Sequence, residues 1–78
     1  MKKTIRKDYQ LFKTDLGKSI VVVNGKLTND EALKIANGYF KSSRAALEPR
    51  IAYLFKDELY FQNPHKQKAR LVWAISRR

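Results

Sequence analysis

The sequence contains no cysteine among its 78 residues. Disulfide scaffolds, cysteine-based zinc sites and thiol nucleophiles are therefore excluded. Because small secreted domains commonly depend on disulfides, we expect a reducing, cytoplasmic location. Charged side chains also occupy residues 6–8, where the apolar segment of a secretion signal would follow a basic start.

Long apolar runs are absent as well. The longest, residues 20–23 and 71–75, fall far short of the roughly 20 residues that span a membrane. We therefore expect no membrane partner.

Glycine and proline are scarce, with three and two residues, and only 7 acidic residues accompany 17 basic ones. The hydrophobic share of 44% is sufficient for a core, and this composition is not typical of a disordered chain. We predict a single small basic domain over residues 1–78. Because a domain of this size buries only about 60% of its unfolded surface, we expect association into a homodimer to add stability.

The N-terminal half predicts two strands. Ile5, Tyr9 and Leu11 occupy alternate positions of residues 3–13, although Lys7 interrupts the pattern, and this alternation favours a half-buried strand. Residues 20–23 are β-branched throughout and indicate a more buried strand. Turns are predicted at Gly17, which is free to take positive φ, and at residues 24–25, an Asn-Gly pair.

A helix is predicted to begin at Thr28, because Glu31 three residues later completes a capping box. The apolar stripe at helical spacing consists of Ala32, Ile35, Ala36, Tyr39, Phe40, Ser43, Ala46 and Leu47. Pro49 is expected to stop the helix after roughly 18–20 residues. Capping boxes are common in small domains, so this one identifies no family.

The C-terminal third alternates again. Residues 51–55 and 59–61 predict two strands joined by a tight turn at residues 56–58. At the end of the chain, Leu71, Trp73 and Ile75 share one face of a strand, whereas in a helix the apolar residues scatter. We therefore predict a strand there, with a C-terminal helix as the alternative. The expected fold is α+β: a two-layer, mainly antiparallel sheet with one long helix packed on it, in the order β-β-α-β-β-β.

The excess positive charge belongs to the two ends of the chain. Residues 1–18 carry six basic and two acidic groups, residues 49–78 carry seven and two, and residues 19–48 carry four and three. If the first and last strands are neighbours, nine cations form one surface. The nine predicted nucleic-acid-binding residues are Lys2, Lys3, Arg6, Lys7, Lys66, Lys68, Arg70, Arg77 and Arg78.

Such a surface predicts binding to nucleic acid, mainly through phosphate contacts. Aromatic residues interleaved with the cations are candidates for stacking on unpaired bases: Tyr9, Tyr53, Tyr60, Phe61 and Trp73. Of these, Tyr9 and Tyr60 are expected at the surface, and the other three, with Phe55, in the core.

Three functions are compatible with these features. The first is a small accessory or regulatory protein that binds DNA or RNA. The second is a protein-interaction module, a small inhibitor or adaptor, that docks on an acidic partner. The third is a toxin-like ribonuclease in which a neutral His65 is the general base. Because the acidic residues show no metal-ligand spacing and no glycine-rich phosphate loop is present, we expect no enzymatic activity, cofactor or metal.

Overall fold

The structure, a computed structural model, describes residues 8–62 and 69–78 and, for residues 2–5, the backbone. Within this part of the chain there are six strands, one α-helix and one short 3₁₀ turn. They are β1 (Lys2–Ile5), β2 (Gln10–Lys13), β3 (Ser19–Asn24), α1 (Asn29–Phe40), the 3₁₀ turn (Arg44–Ala46), β4 (Leu47–Phe55), β5 (Glu58–Tyr60) and β6 (Arg70–Arg77). The described helices include none that is long and apolar enough to cross a membrane.

The strands form one sheet in the order β1-β2-β3-β6-β4-β5, and every neighbouring pair is antiparallel. The last strand therefore lies in the middle of the sheet, between β3 and β4. Helix α1 packs on one face, against β3, β4 and β6. This arrangement confirms the predicted α+β fold of one antiparallel sheet and one helix.

The single strand predicted over residues 3–13 is wrong, because two strands occupy this region. β1 and β2 pair with each other, with Ile5 opposite Gln10. Asp8 lies in a bend between them. The chain therefore reverses between Ile5 and Gln10, and the element order becomes β-β-β-α-β-β-β.

Helix α1 is also shorter than predicted, with 12 residues. It ends where Lys41 adopts left-handed angles, φ 54 and ψ 37, and donates its N–H to the Asn37 carbonyl at 2.7 Å. The Asn37 side-chain amide donates to the Ser42 carbonyl just beyond. Side chains of this kind compete for backbone partners and favour helix ends over helix interiors. The end of the predicted stripe, residues 43–47, consequently lies outside the helix.

Pro49 lies within β4 rather than ending the helix. It pairs with Ile75 of β6, whereas β5 pairs only with residues 53–55 of β4. The other side of β4 at Pro49 therefore has no strand partner among the described residues. A proline, which lacks a backbone N–H, is tolerated at such an edge.

The final segment is the predicted strand, β6, and its alternation places the core residues as expected. Trp73 and Ile75 face α1, whereas Val72 and Ala74 face the opposite side. Neighbouring β3 is apolar on both sides in the same way, which explains its continuous β-branched run. The cluster between α1 and the sheet contains Val21, Val23, Ala32, Ala36, Phe40, Leu47 and Ile75. The opposite cluster contains Phe12, Ile20, Val22, Ala52, Leu54, Val72 and Ala74.

Two glycines form a matched pair for testing this packing. At Gly25, which donates its N–H to the Leu71 carbonyl, an added Cβ would lie 2.4 Å from that same oxygen. At Gly38, in α1, nothing lies within 4 Å of an added Cβ. We expect Gly25→Ala to lower the free energy of unfolding by about 1–3 kcal/mol, because the backbone must move. Gly38→Ala should raise it by about 0.5–1 kcal/mol. Urea denaturation measures both, and equal effects would contradict the close approach at Gly25.

The capping box gives a pH-dependent prediction. The Thr28 N–H and hydroxyl donate to Glu31 Oε1 at 3.0 and 3.1 Å, and the Glu31 N–H donates to Thr28 Oγ1 at 3.2 Å. These hydrogen bonds, first the backbone one, lower the pKa of Glu31 from its usual 4.5. The stabilisation they give is therefore present above pH 4.5 and is lost as the pH falls through the lowered pKa.

NMR titration of the Glu31 carboxyl should accordingly give a pKa below 4.5. Thr28→Ala should raise this pKa only part of the way back, because the backbone N–H at position 28, the larger cause, still donates to Glu31. The same variant should cost about 1 kcal/mol of stability, because the helix loses its N-cap. Glu31→Gln is the control, since an amide still accepts the Thr28 hydrogen bond but does not titrate. An unshifted Glu31 in the wild type would disprove the capping box.

Candidate nucleic-acid interface

The register of the strands gathers cations at one end of the sheet. Lys2 pairs with Lys13, and Lys13 pairs with Ser19. Val21 pairs with Ile75 in the antiparallel ladder, so two residues further along each strand Ser19 lies opposite Arg77. We call this end of the sheet the basic end, and define it by Lys2, Lys13, Lys18, Lys41, Arg77 and Arg78.

The last residues of the chain and the end of α1 meet at the basic end. Arg77 Nη2 donates to the Phe40 carbonyl at 3.2 Å, and the guanidinium lies 5.7 Å from the centre of the Phe40 ring. Lys41 follows directly in the chain. The Arg78 N–H donates to the Ala46 carbonyl at 2.9 Å, which holds the C-terminus beside the 3₁₀ turn.

A groove of about 520 Å³ opens at the basic end between the β2–β3 turn and the end of α1. It is lined by Gly17, Lys18, Ser19, Tyr39, Phe40 and Arg77. The described lining thus offers an ammonium, a guanidinium and a hydroxyl, and it contains no carboxylate. Groups of these kinds bind phosphate oxygens.

The turn that positions Lys18 is held by three hydrogen bonds to Thr14. The Thr14 N–H donates to the Lys18 carbonyl, the Gly17 N–H to the Thr14 carbonyl, and the Lys18 N–H to Thr14 Oγ1, at 2.9, 2.9 and 3.0 Å. Gly17 has φ 83, as its position in a turn predicted. The remaining turn residues are Asp15, the acidic group of this turn, and Leu16, which is 97% exposed.

The surface of nine cations was predicted on the condition that the first and last strands are neighbours. That condition is not met, because β2 and β3 lie between β1 and β6. Lys2, Arg77 and Arg78 nevertheless belong to the basic end, and Lys3 lies one residue further along β1. Arg70 begins β6 at the opposite end, paired with Leu54. The other four, Arg6, Lys7, Lys66 and Lys68, lie outside the described residues, as does His65 of the ribonuclease hypothesis.

Sequence reasoning did not single out Lys13, Lys18 and Lys41. The first two flank the β2–β3 turn, so a hairpin prediction would have brought them together. The predicted helix extended beyond Lys41, whereas α1 ends at Phe40 and Lys41 is its C-cap. A fourth cation, Arg44, is engaged elsewhere: its Nη2 lies 2.9 Å from Asp30 Oδ1, in the one ion pair that joins two described residues.

The aromatic residues occupy several environments. Tyr9, predicted at the surface, is half-buried and packs edge-on against Tyr39 with ring centroids 5.8 Å apart. Phe61, predicted in the core, is 42% exposed, and the Arg50 guanidinium lies 4.4 Å from its ring centre. Trp73 is half-buried and donates its Nε1–H to the Leu27 carbonyl at 3.0 Å. The exposure of these rings, and with it their availability for stacking on bases, therefore differs from one residue to the next.

In comparisons with known proteins, no family model, no curated protein and no solved structure matches this chain. What the basic end can do is therefore argued from its own groups. It presents several exposed cations, on different strands, beside an open groove. Such an arrangement suits an extended anion better than a small buried one.

Arg77 has a structural role that a substitution can isolate. Its guanidinium lies at the negative end of the α1 dipole and donates to the Phe40 carbonyl, which also accepts from the Ser42 hydroxyl at 3.3 Å. We expect Arg77→Met, which keeps the length but removes the charge and the donors, to lower stability by about 1 kcal/mol. Hydrogen exchange of the Lys41 amide should also become faster.

Arg78→Met is the matched control for this experiment, because it removes the same charge from the neighbouring residue. It should leave stability within about 0.5 kcal/mol, as is usual for an exposed site. If the two variants are equally destabilising, loss of net charge rather than loss of the helix cap is responsible.

Proposed function

We propose that this chain is a small cytoplasmic accessory protein that binds nucleic acid at the basic end and catalyses no reaction. The observation that carries this proposal is the groove in which Lys18, Arg77 and Ser19 meet without a carboxylate in the described lining. The net charge of +10 supports a polyanionic ligand, because charge of this size attracts nucleic acid from a distance.

The width of the basic end favours a polymer over a single phosphate group. Lys13 and Arg77 are two strands apart, on β2 and β6 with β3 between them. Since neighbouring strands are 4.7–4.9 Å apart, their backbones are separated by about 10 Å. Cations at this separation can neutralise successive phosphates of one strand, and each neutralised phosphate releases counterions.

An acidic protein is the second candidate ligand, and one observation favours it. Leu16 is 97% exposed between Lys13 and Lys18, and an apolar side chain among cations suits a protein surface that carries carboxylates around an apolar spot. Such a partner has few regularly spaced charges. It should therefore show a shallower dependence of affinity on salt than nucleic acid does.

The test compares two lysines of equal charge and similar exposure. Lys18 lines the groove, whereas Lys34 lies on the exposed side of α1 beside Asp30 and Glu31. We expect Lys18→Ala to weaken binding of labelled duplex DNA and to reduce the slope of log affinity against log salt by about one, because one phosphate contact is lost. Lys34→Ala should leave both quantities unchanged.

Fluorescence anisotropy from low to physiological salt measures the two variants and the wild type side by side. If wild type binds no nucleic acid at physiological salt, the proposed function is wrong. If Lys34→Ala weakens binding as much as Lys18→Ala, the chain binds through its overall charge and not through the basic end.

A further inference from the structure

Helix α1 covers only part of the sheet face on which it packs. Under the helix, Leu47 and Ile75 are buried, at 1% and 0% exposure. Further along the same two strands and on the same face, Ile51 and Leu71 are 44% and 47% exposed. The sheet therefore carries apolar side chains beyond the end of its second layer.

The exposed Ile51 and Leu71 form a continuous block with half-buried aromatic side chains across three strands. Ile51 pairs with Trp73, and Tyr53 pairs with Leu71 on one side and Tyr60 on the other. Direct partners in a sheet point to the same face, so these five side chains are neighbours. We call Ile51, Tyr53, Tyr60, Leu71 and Trp73 the uncovered block.

Two rings of the uncovered block are held in place by hydrogen bonds. The Trp73 Nε1–H donates to the Leu27 carbonyl at 3.0 Å, and the Tyr60 hydroxyl donates to Glu58 Oε2 at 2.7 Å. The second bond raises the pKa of Tyr60 above 10.0, because it stabilises the protonated hydroxyl. Rings fixed in this way lose little conformational entropy when a ligand covers them.

Charged groups of both signs lie beside the block: the Glu58 carboxylate at Tyr60, and cations near Leu71. A second groove next to Leu71 is lined by Asn24, Gly25, Lys26 and Arg70. These lining residues include two cations and no carboxylate. Arg70, predicted from the sequence as a nucleic-acid-binding residue, lies at this end of β6 and away from the basic end. It pairs with Leu54 of the opposite cluster, so its side chain belongs to the other face of the sheet.

We infer that the uncovered block is a stacking platform for the unpaired bases of a single-stranded nucleic acid, whose phosphates lie towards Lys26. Every base has an aromatic face, and a sheet surface that carries the rings of Tyr53, Tyr60 and Trp73 accepts such faces without regard to sequence. Bases in a duplex are already stacked and paired, so the platform adds affinity for single strands alone. This inference rests on the proposed function and names its ligand class.

Other occupants of the block fit the structure less well. Five partly exposed side chains cover much less than the roughly 800 Å² that each partner of a stable protein complex contributes. A second copy of this chain would also bring another +10 of charge against the cations beside the block. A single-stranded nucleic acid can instead cover the apolar side chains with its bases while its phosphates approach the neighbouring cations.

The experiment measures binding of a single-stranded DNA of about 12 nucleotides, within the range of known site sizes for one small domain. An RNA of the same sequence and the corresponding DNA duplex are the other two ligands. Anisotropy of the labelled ligand gives the affinity, and the fluorescence of Trp73, the only tryptophan, reports on the block itself. We expect quenching of Trp73 by either single strand and not by the duplex.

Tyr53→Leu, which keeps an apolar side chain but removes the ring, should weaken single-strand binding by roughly 5- to 100-fold, as expected for the loss of one stacked base. Duplex binding should stay within about twofold. Phe61→Leu is the matched control, since it removes an exposed ring that lies against Arg50 and is not part of the block. If Tyr53→Leu does not fold, Tyr60→Leu on the edge strand and Leu71→Ala provide the same comparison.

Several results would overturn the inference. One is that the block variants weaken the binding of single strands and of duplex equally. Another is that they leave single-strand binding unchanged. In both cases the basic end remains the binding site if Lys18→Ala weakens duplex binding. A concentration-dependent dimer that the block variants abolish would assign the block to a second copy. If none of the three ligands binds, both the proposed function and this inference are wrong. If one of the two single strands, RNA or DNA, binds more tightly, that result identifies the kind of nucleic acid the block prefers. Either outcome supports the platform.

Discussion

The pairing of β6 with both β3 and β4 is the constraint on which the rest of the structure depends. β1, β2 and β3 are consecutive and pair with their neighbours in the chain, and so do β4 and β5. Only β6 connects these two groups, with four residue pairs to β3 and eight to β4. Without this strand the chain would contain two separate sheets, each with too little apolar surface to be stable alone.

The same strand determines where the charged and aromatic groups lie. Its C-terminal end brings Arg77 to the end of α1 and beside the turn that carries Lys18. Its N-terminal end brings Arg70 and Leu71 beside the turn at Gly25. The antiparallel ladder with β4 then sets Trp73 next to Ile51. Both candidate surfaces are consequences of one register, and a shift of one residue would exchange every side chain between the two faces.

What the sequence predicted correctly is local. The turns, the capping box and the alternation of the last strand depend on residues a few positions apart, and all three are present in the structure. The errors arose where contacts between residues far apart in the sequence determine the structure. The stripe up to Leu47 has helical spacing, but Leu47 is needed in the ladder opposite Arg77, and Lys41 ends the helix before it. The basic end depends likewise on which strands become neighbours, which charge counting along the chain does not reveal.

The described cations differ in how far the fold uses them. Arg44 binds Asp30, whereas Arg77 holds the end of α1 and also lines the groove. The exposed groups at the basic end are mainly lysines, whose compact charges attract phosphate without the planar, two-point geometry with which arginine reads bases. On the proposed function, the basic end therefore supplies affinity that falls with salt but little discrimination between ligands. Discrimination has to come from contacts with the bases, and the uncovered block is the described surface whose chemistry suits them. Because stacking is less sensitive to salt than phosphate contacts are, the preference for single strands over duplex should grow as the salt concentration rises.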